Sequence, residues 1–133
     1  MIAEISHLTF IVEDLERASK FFTSIFAAQQ IYSSGDKTFS LSREKFFLIN
    51  DLWICIMEGK SLSDRTYNHV AFSIPDDEFE LYEAKIKALG VDIRPSRPRV
   101  AEEGRSIYFY DFDNHLFELH SGSLSERLKR YNE

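Results

Sequence analysis

Apolar side chains recur along this chain in two spacings that alternate with each other. Runs with a period of two, rich in β-branched and aromatic residues, read as strands, and runs spaced by three and four read as helices. The first helical run puts Leu15, Ala18, Phe21, Phe22, Ile25 and Phe26 on one stripe. The second does the same with Phe79, Tyr82, Ile86 and Leu89, and Gly90 follows where a left-handed C-cap residue belongs. A strand-like run precedes each helix, and the two runs align with each other. Residues 6–14 (SHLTFIVED) match residues 68–76 (NHVAFSIPD) at an offset of 62, with His7 on His69, Phe10 on Phe72 and Asp14 on Asp76. Both Asp residues are predicted to cap the helix that follows.

After each helix come short apolar or alternating runs divided by turn residues. Strands are predicted over residues 38–42, 45–49 and 52–57 in the first half, and over 91–94, 106–110 and 115–120 in the second, with Asp113-Asn114 as a hairpin turn. Each half is therefore strand, helix and three strands. The fold class is α+β: two tandem βαβββ modules, spanning about residues 4–60 and 66–122, in a single domain over residues 1–133. A half of about 60 residues cannot close a core alone, so the modules are expected to pair, within one chain or across a dimer. Ser123-Leu124-Ser125-Glu126 fits a capping box that opens a terminal helix over about 123–131. The one long irregular stretch, 94–105, carries Arg94, Arg97, Arg99 and Arg105.

Composition narrows the partner. With 44% hydrophobic and 29% charged residues, five Gly and three Pro, the chain is neither collagenous, disordered nor a disulfide miniprotein. Sixteen basic against twenty-two acidic residues leave a net charge of −6, which disfavours nucleic acid and anionic lipid and favours a small-molecule partner. The lone Cys55, the lack of a signal-like N-terminus and the absence of an apolar run of about 20 residues make a reducing cytoplasm the expected location, with no membrane association.

Period-two geometry puts His7, Thr9 and Ile11 on one face of their strand, and His69 takes the position of His7 in the repeat. Two imidazoles at one repeat position point to a shared task. Glu118 lies mid-strand among Phe and Leu, where an ionised carboxylate needs a cation, either an Arg or a metal. The first half offers Cys55 or Ile56 at the corresponding place and so no second carboxylate. Two His and one Glu leave open coordination positions, which suits catalysis by Mn²⁺, Fe²⁺, Zn²⁺ or Ni²⁺. Cys55 shares a strand face with Trp53 and Met57 and reads as a small buried apolar residue rather than a nucleophile.

These residues resemble the vicinal oxygen chelate superfamily, which builds paired βαβββ modules into a metal-centred half-barrel pair. Within it the chain is similar to the fosfomycin resistance proteins through SHLTF at 6–10, LWICI at 52–56, YNHVAF at 67–72 and SIYFYDFD at 106–113. It looks most like their X type, the epoxide hydrolases, whose distinguishing glutamate is matched by Glu44 in SREKFF. The thiol-transferring A type has a small residue there, and its tyrosine two places on corresponds to Phe46.

The resemblance implies Mn²⁺-dependent hydrolysis of the epoxide of fosfomycin, a small phosphonate, to a diol. His7, His69 and Glu118 would be the metal ligands and Glu44 the general base for water. Thr9, Ser106, Tyr108 and Arg127 would contact the phosphonate, Tyr67 would line the site beside His69, and Phe46 and Trp53 would line the substrate pocket. Relatives carry a lysine in the loop before the Ser-x-Tyr strand. None occurs here between Lys87 and Lys129, which leaves Arg94, Arg97 or Arg99 to supply that charge. The resemblance also implies a homodimer whose active sites are shared, with His7 and His69 from different subunits. The alternatives are thiol transfer to fosfomycin, for which Glu44 has no use, and glyoxalase-like or extradiol dioxygenase chemistry on the same metal, which leaves Ser106, Tyr108 and Arg127 unexplained.

Overall fold

A computed structural model describes residues 1–95 and 104–132, and they fall into two compact units. The first comprises Met1–Asp64 with the hairpin tip Phe112–Asn114, the second Arg65–Asp111 and His115–Glu133. Unit one contains β1 (His7–Val12), α1 (Leu15–Phe26), β2 (Gln29–Ser33), β3 (Glu44–Ile49) and β4 (Leu52–Glu58). Unit two contains β5 (His69–Ser73), a 3₁₀ turn (Asp76–Glu78), α2 (Phe79–Leu89), β6 (Ile93–Arg94), β7 (Ser106–Tyr110), β8 (Leu116–His120) and α3 (Leu124–Tyr131). The two sheets have the same order, β1-β4-β3-β2 and β5-β8-β7-β6, with the first pair parallel and the other two antiparallel. The repeat in the sequence is thus a repeat of topology.

In unit one the helix stripe buries all six expected residues. Asp14 caps α1 by accepting from the Arg17 N–H at 3.0 Å. Phe21, Phe22 and Ile25 then pack onto the β-sheet face carrying Val12, Phe47, Ile54 and Ile56, all with no exposed surface. Asp113 completes the unit, its Oδ1 accepting from the Glu13 N–H at 2.9 Å and the Ser61 hydroxyl at 2.5 Å. In unit two Ile86 is the buried residue of α2, and Phe109, Phe117 and Leu119 are buried on the sheet. Gly90 takes the left-handed C-cap conformation at φ 77°. Ser123 caps α3 through the Glu126 N–H at 3.1 Å.

Three expectations fail. Residues 38–42 form bends rather than a strand, and the outer strand of unit one is instead β2, directly after α1. Its sequence QQIYS hides it: an edge strand faces solvent and needs no apolar alternation, and a bulge between Gln30 and Tyr32 breaks the period. Asp76 does not cap α2, since Arg105 Nε and the Ser121 hydroxyl donate to its Oδ1 at 3.0 and 2.8 Å. The strand expected over 91–94 shortens to Ile93–Arg94. Among the described residues no helix is long and apolar enough to cross a membrane.

Candidate functional site

Residues directly opposite each other on neighbouring strands share a sheet face. In unit two, His69 pairs with Leu116, Ala71 with Glu118, Tyr108 with Glu118 and with Arg94, and Ser106 with His120. Register thus gathers His69, Glu118, Ser106, Tyr108, Arg94 and His120 onto one face, while Phe109, Phe117 and Leu119 take the other. A pocket of about 500 Å³ is lined by His69, Glu118, His120, Ser123 and Arg127 among others.

The polarity of this pocket is set by hydrogen bonding. His69 Nδ1 lies 2.7 Å from the Tyr67 carbonyl, which can only accept, so Nδ1 carries a proton and Nε2 is the nitrogen that has a lone pair when the ring is neutral. That Nε2 faces Glu118 Oε1 at 3.1 Å, with Glu118 only 5% exposed. With the ring neutral, those two lone pairs repel unless a cation lies between or beside them. The donor set of one imidazole nitrogen and one carboxylate oxygen fits a hard or borderline divalent metal, and the Tyr67 carbonyl fixes the ring as metal-ligating His residues usually are fixed. Among the described residues Glu118 meets the His69 and His120 imidazoles and the Ser106 hydroxyl. Tyr67 donates to or accepts from Tyr108 through their hydroxyls at 3.1 Å, and the Arg94 guanidinium lies 4.8 Å over the Tyr67 ring. Arg97 and Arg99 lie outside the described residues, and Arg105 is engaged by Asp76 and Glu80.

Unit one presents a matching face. His7 pairs with Trp53, Thr9 with Cys55, Phe46 with Cys55 and Glu44 with Met57. His7 stacks on Trp53 at 4.1 Å between centroids, its Nδ1 3.0 Å from Ser6 Oγ, and Phe46 meets the Trp53 ring edge-on at 5.1 Å. Glu44 is 8% exposed. Its peptide is clamped by Ser34, whose Oγ accepts from the Glu44 N–H and whose N–H donates to the Glu44 carbonyl, both at 3.0 Å. Burial, reinforced by the Glu44 carboxylate, pushes the Cys55 thiol up to about 11. Cys55 is therefore a neutral thiol at physiological pH, and inert as a nucleophile. The Trp53 Nε1–H is buried without a hydrogen-bond partner among the described residues.

Tyr67 precedes β5 and meets Tyr108 and His69; the other described residues expected from the sequence fall on one of these two faces or line the pocket. Among the described residues no group of three or more His, Cys, Asp or Glu side chains forms a metal site. Register also settles an open alternative: Thr9 pairs with Cys55 as Ala71 pairs with Glu118, so Cys55, not Ile56, is the counterpart of Glu118. His120, 2.6 Å from Ser106 Oγ and 3.5 Å from Glu118 Oε2, was absent from the expected set, although period two from Glu118 would have placed it.

The family model for the glyoxalase/bleomycin resistance protein/dioxygenase superfamily matches residues 4–119. The chain is 65% identical to the fosfomycin resistance protein FosX of Listeria monocytogenes serovar 1/2a over all of both chains. It is 57% identical to FosX of Mesorhizobium japonicum over 98% of this chain and 94% of the relative. Among solved structures, a variant of L. monocytogenes FosX in complex with Mn(II) and 1S,2S-dihydroxypropylphosphonic acid superposes with a TM-score of 0.90. The two share 61% sequence identity, over 98% of this chain and 99% of that one. Repeat, strand order and end-to-end identity agree: the chain belongs to the glyoxalase/bleomycin resistance protein/dioxygenase superfamily and, within it, to the FosX fosfomycin resistance proteins.

Proposed function

We propose that this chain hydrolyses the epoxide of fosfomycin to a vicinal diol with Mn²⁺ as cofactor, and so confers resistance to the antibiotic from the cytoplasm. The observation that carries the proposal is the opposed pair His69 Nε2 and Glu118 Oε1, two metal-ready lone pairs in a pocket that also holds cationic and hydroxyl groups. His69 and Glu118 from one copy of the chain and His7 from a second copy hold the metal, so the working unit is a homodimer with shared sites and paired modules. When bound, the metal supplies Lewis-acid stabilisation at the epoxide oxygen.

The chain's own residues do the rest. Glu44, buried on the face of His7 and Thr9, removes a proton from the attacking water; the water oxygen bonds to an epoxide carbon as the ring C–O bond breaks, the opened oxygen takes a proton from solvent, and Glu44 returns its own to solvent. Arg94 and Arg127 offset the phosphonate charge that an acidic protein would otherwise repel. Arg94 rests over the Tyr67 ring, so less freedom is lost when it meets the anion. Thr9, Tyr67 and Tyr108 supply hydroxyls to the phosphonate, whereas Ser106, which the resemblance placed with them, gives its proton to Glu118. Phe46 and Trp53, packed edge-on, keep bulk water from the reacting carbon.

Thiol transfer would use the same metal and phosphonate groups but gives Glu44 no task. The two are separated by incubating protein, Mn²⁺ and fosfomycin with and without added thiol and following the products by ³¹P NMR. Diol is expected in both tubes. Product that forms only in the tube with thiol contradicts the proposal.

A further inference from the structure

At the C-terminal end of β8, three side chains form a hydrogen-bonded chain whose direction follows from proton counting. Ser106 Oγ lies 2.5 Å from Glu118 Oε2 and 2.6 Å from His120 Nδ1. A hydroxyl has one proton to give, and an ionised carboxylate can only accept. The Ser106 proton therefore points at Oε2, because any other assignment leaves two lone pairs face to face at 2.5 Å. Oγ must then receive a proton from His120, which sets that ring to its Nδ1–H form. The 3.5 Å separation of His120 Nδ1 from Glu118 Oε2 has the same polarity, attractive for an N–H and repulsive for a lone pair. Strand register builds the arrangement: Ser106 is opposite His120, and Glu118 is two residues before His120 on the same face. Ser106 is 7% and Glu118 5% exposed, so water cannot readily replace a bond that is lost.

We infer that His120 is a positioning residue for Glu118 that acts through Ser106. Its Nδ1–H locks the Ser106 hydroxyl, the locked hydroxyl occupies Oε2, and the carboxylate is held with Oε1 turned toward His69 Nε2. The Ser106 proton is thereby used within the protein rather than offered to substrate. The inference rests on the proposed ligand role of His69 and Glu118.

Mn²⁺ alone is the probe, titrated into metal-free protein while the free aqueous ion is counted by EPR. His120→Ala is expected to weaken binding about 10- to 100-fold, the usual cost of removing a group that orients a ligand. His120→Asn places an amide N–H near the former Nδ1 and is expected to keep affinity close to the unsubstituted protein. His120→Gln places its amide near the former Nε2 and is expected to fall with the Ala variant. In a Ser106→Ala background, His120→Ala is expected to add nothing. Undiminished binding in His120→Ala, equal losses in the Asn and Gln variants, or additive losses with Ser106→Ala would each overturn the inference. Should His120→Ala fail to fold, the Asn and Gln comparison still decides it. Failure of the unsubstituted protein to bind Mn²⁺ would instead overturn the proposed metal ligands.

Discussion

Replacing Glu44 with Gln changes one atom and removes one charge from the unit-one face. The backbone there is clamped by Ser34 on both sides at 3.0 Å, so the amide variant keeps β3 in place. If Glu44 is the general base, hydrolysis falls about 10²- to 10⁴-fold, equivalent to roughly 2.7–5.4 kcal/mol of barrier at 1.36 kcal/mol per tenfold. Mn²⁺ affinity stays unchanged, since Glu44 is not among the ligands. Cys55 provides a second, independent readout of the charge. Burial first and the Glu44 anion second hold its thiol at about 11, against an ordinary 9.0. Removing the anion lowers that value, while burial keeps it above the ordinary one. At pH 7 a group with a pKa near 11 is ionised in about one molecule in 10⁴, so the difference must be sought at alkaline pH. The assay pairs initial hydrolysis rates by ³¹P NMR with the pH profile of Cys55 alkylation by mass spectrometry. The variant's alkylation should rise at lower pH than that of the unsubstituted protein. Hydrolysis at full rate in a variant whose Cys55 profile has moved would remove Glu44 from the mechanism; an unmoved profile would mean the carboxylate does not face this site.

Shared active sites predict complementation. Refolding His7→Ala chains together with His69→Ala chains should restore one of the two sites in each mixed dimer, whereas sites built within single chains would leave the mixture as inactive as its parents; rates of the mixture and the separate variants decide. Arg105 ties β7 to Asp76 and Glu80, holding both carboxyls below their ordinary values of 3.8 and 4.5; for Asp76 the Ser121 hydroxyl contributes first, for Glu80 the Arg105 guanidinium. A carboxyl whose folded pKa is depressed stabilises the fold above its unfolded value and loses that contribution as pH falls through the folded one. Arg105→Gln should therefore lower the Tm at pH 7, and the gap to the unsubstituted protein should close as pH drops below about 4; a gap that stays constant with pH would contradict the ion-pair account.

The modules, α1 and the strand faces that carry the candidate site residues could be read from the chain because their signals are local. A six-residue apolar stripe means the same thing in any helix, and His7 and His69 at one repeat position needed only an offset. What stayed hidden depends on pairing between strands. Nothing in QQIYS shows that Gln29–Ser33 joins β3, because an edge strand is not obliged to alternate. Asp76 has the sequence of a cap and becomes an anchor for Arg105, since a carboxylate takes the strongest donor within reach and a guanidinium 29 residues away outbids a backbone N–H. The choice between Cys55 and Ile56 as the counterpart of Glu118 is a register of one residue, which decides the face of every side chain on the strand. His120 was missed for a related reason. Its importance lies in the single proton of Ser106, on the strand opposite, rather than in its own neighbours along the chain.

The central claim is that water, activated by this chain, opens the fosfomycin ring. The most direct measurement supplies Mn²⁺-loaded protein with fosfomycin in ¹⁸O-labelled water free of thiol and examines the product by mass spectrometry. The account predicts the dihydroxypropylphosphonate with one labelled oxygen on carbon. Fosfomycin recovered intact, or converted only after a thiol is added, would contradict it.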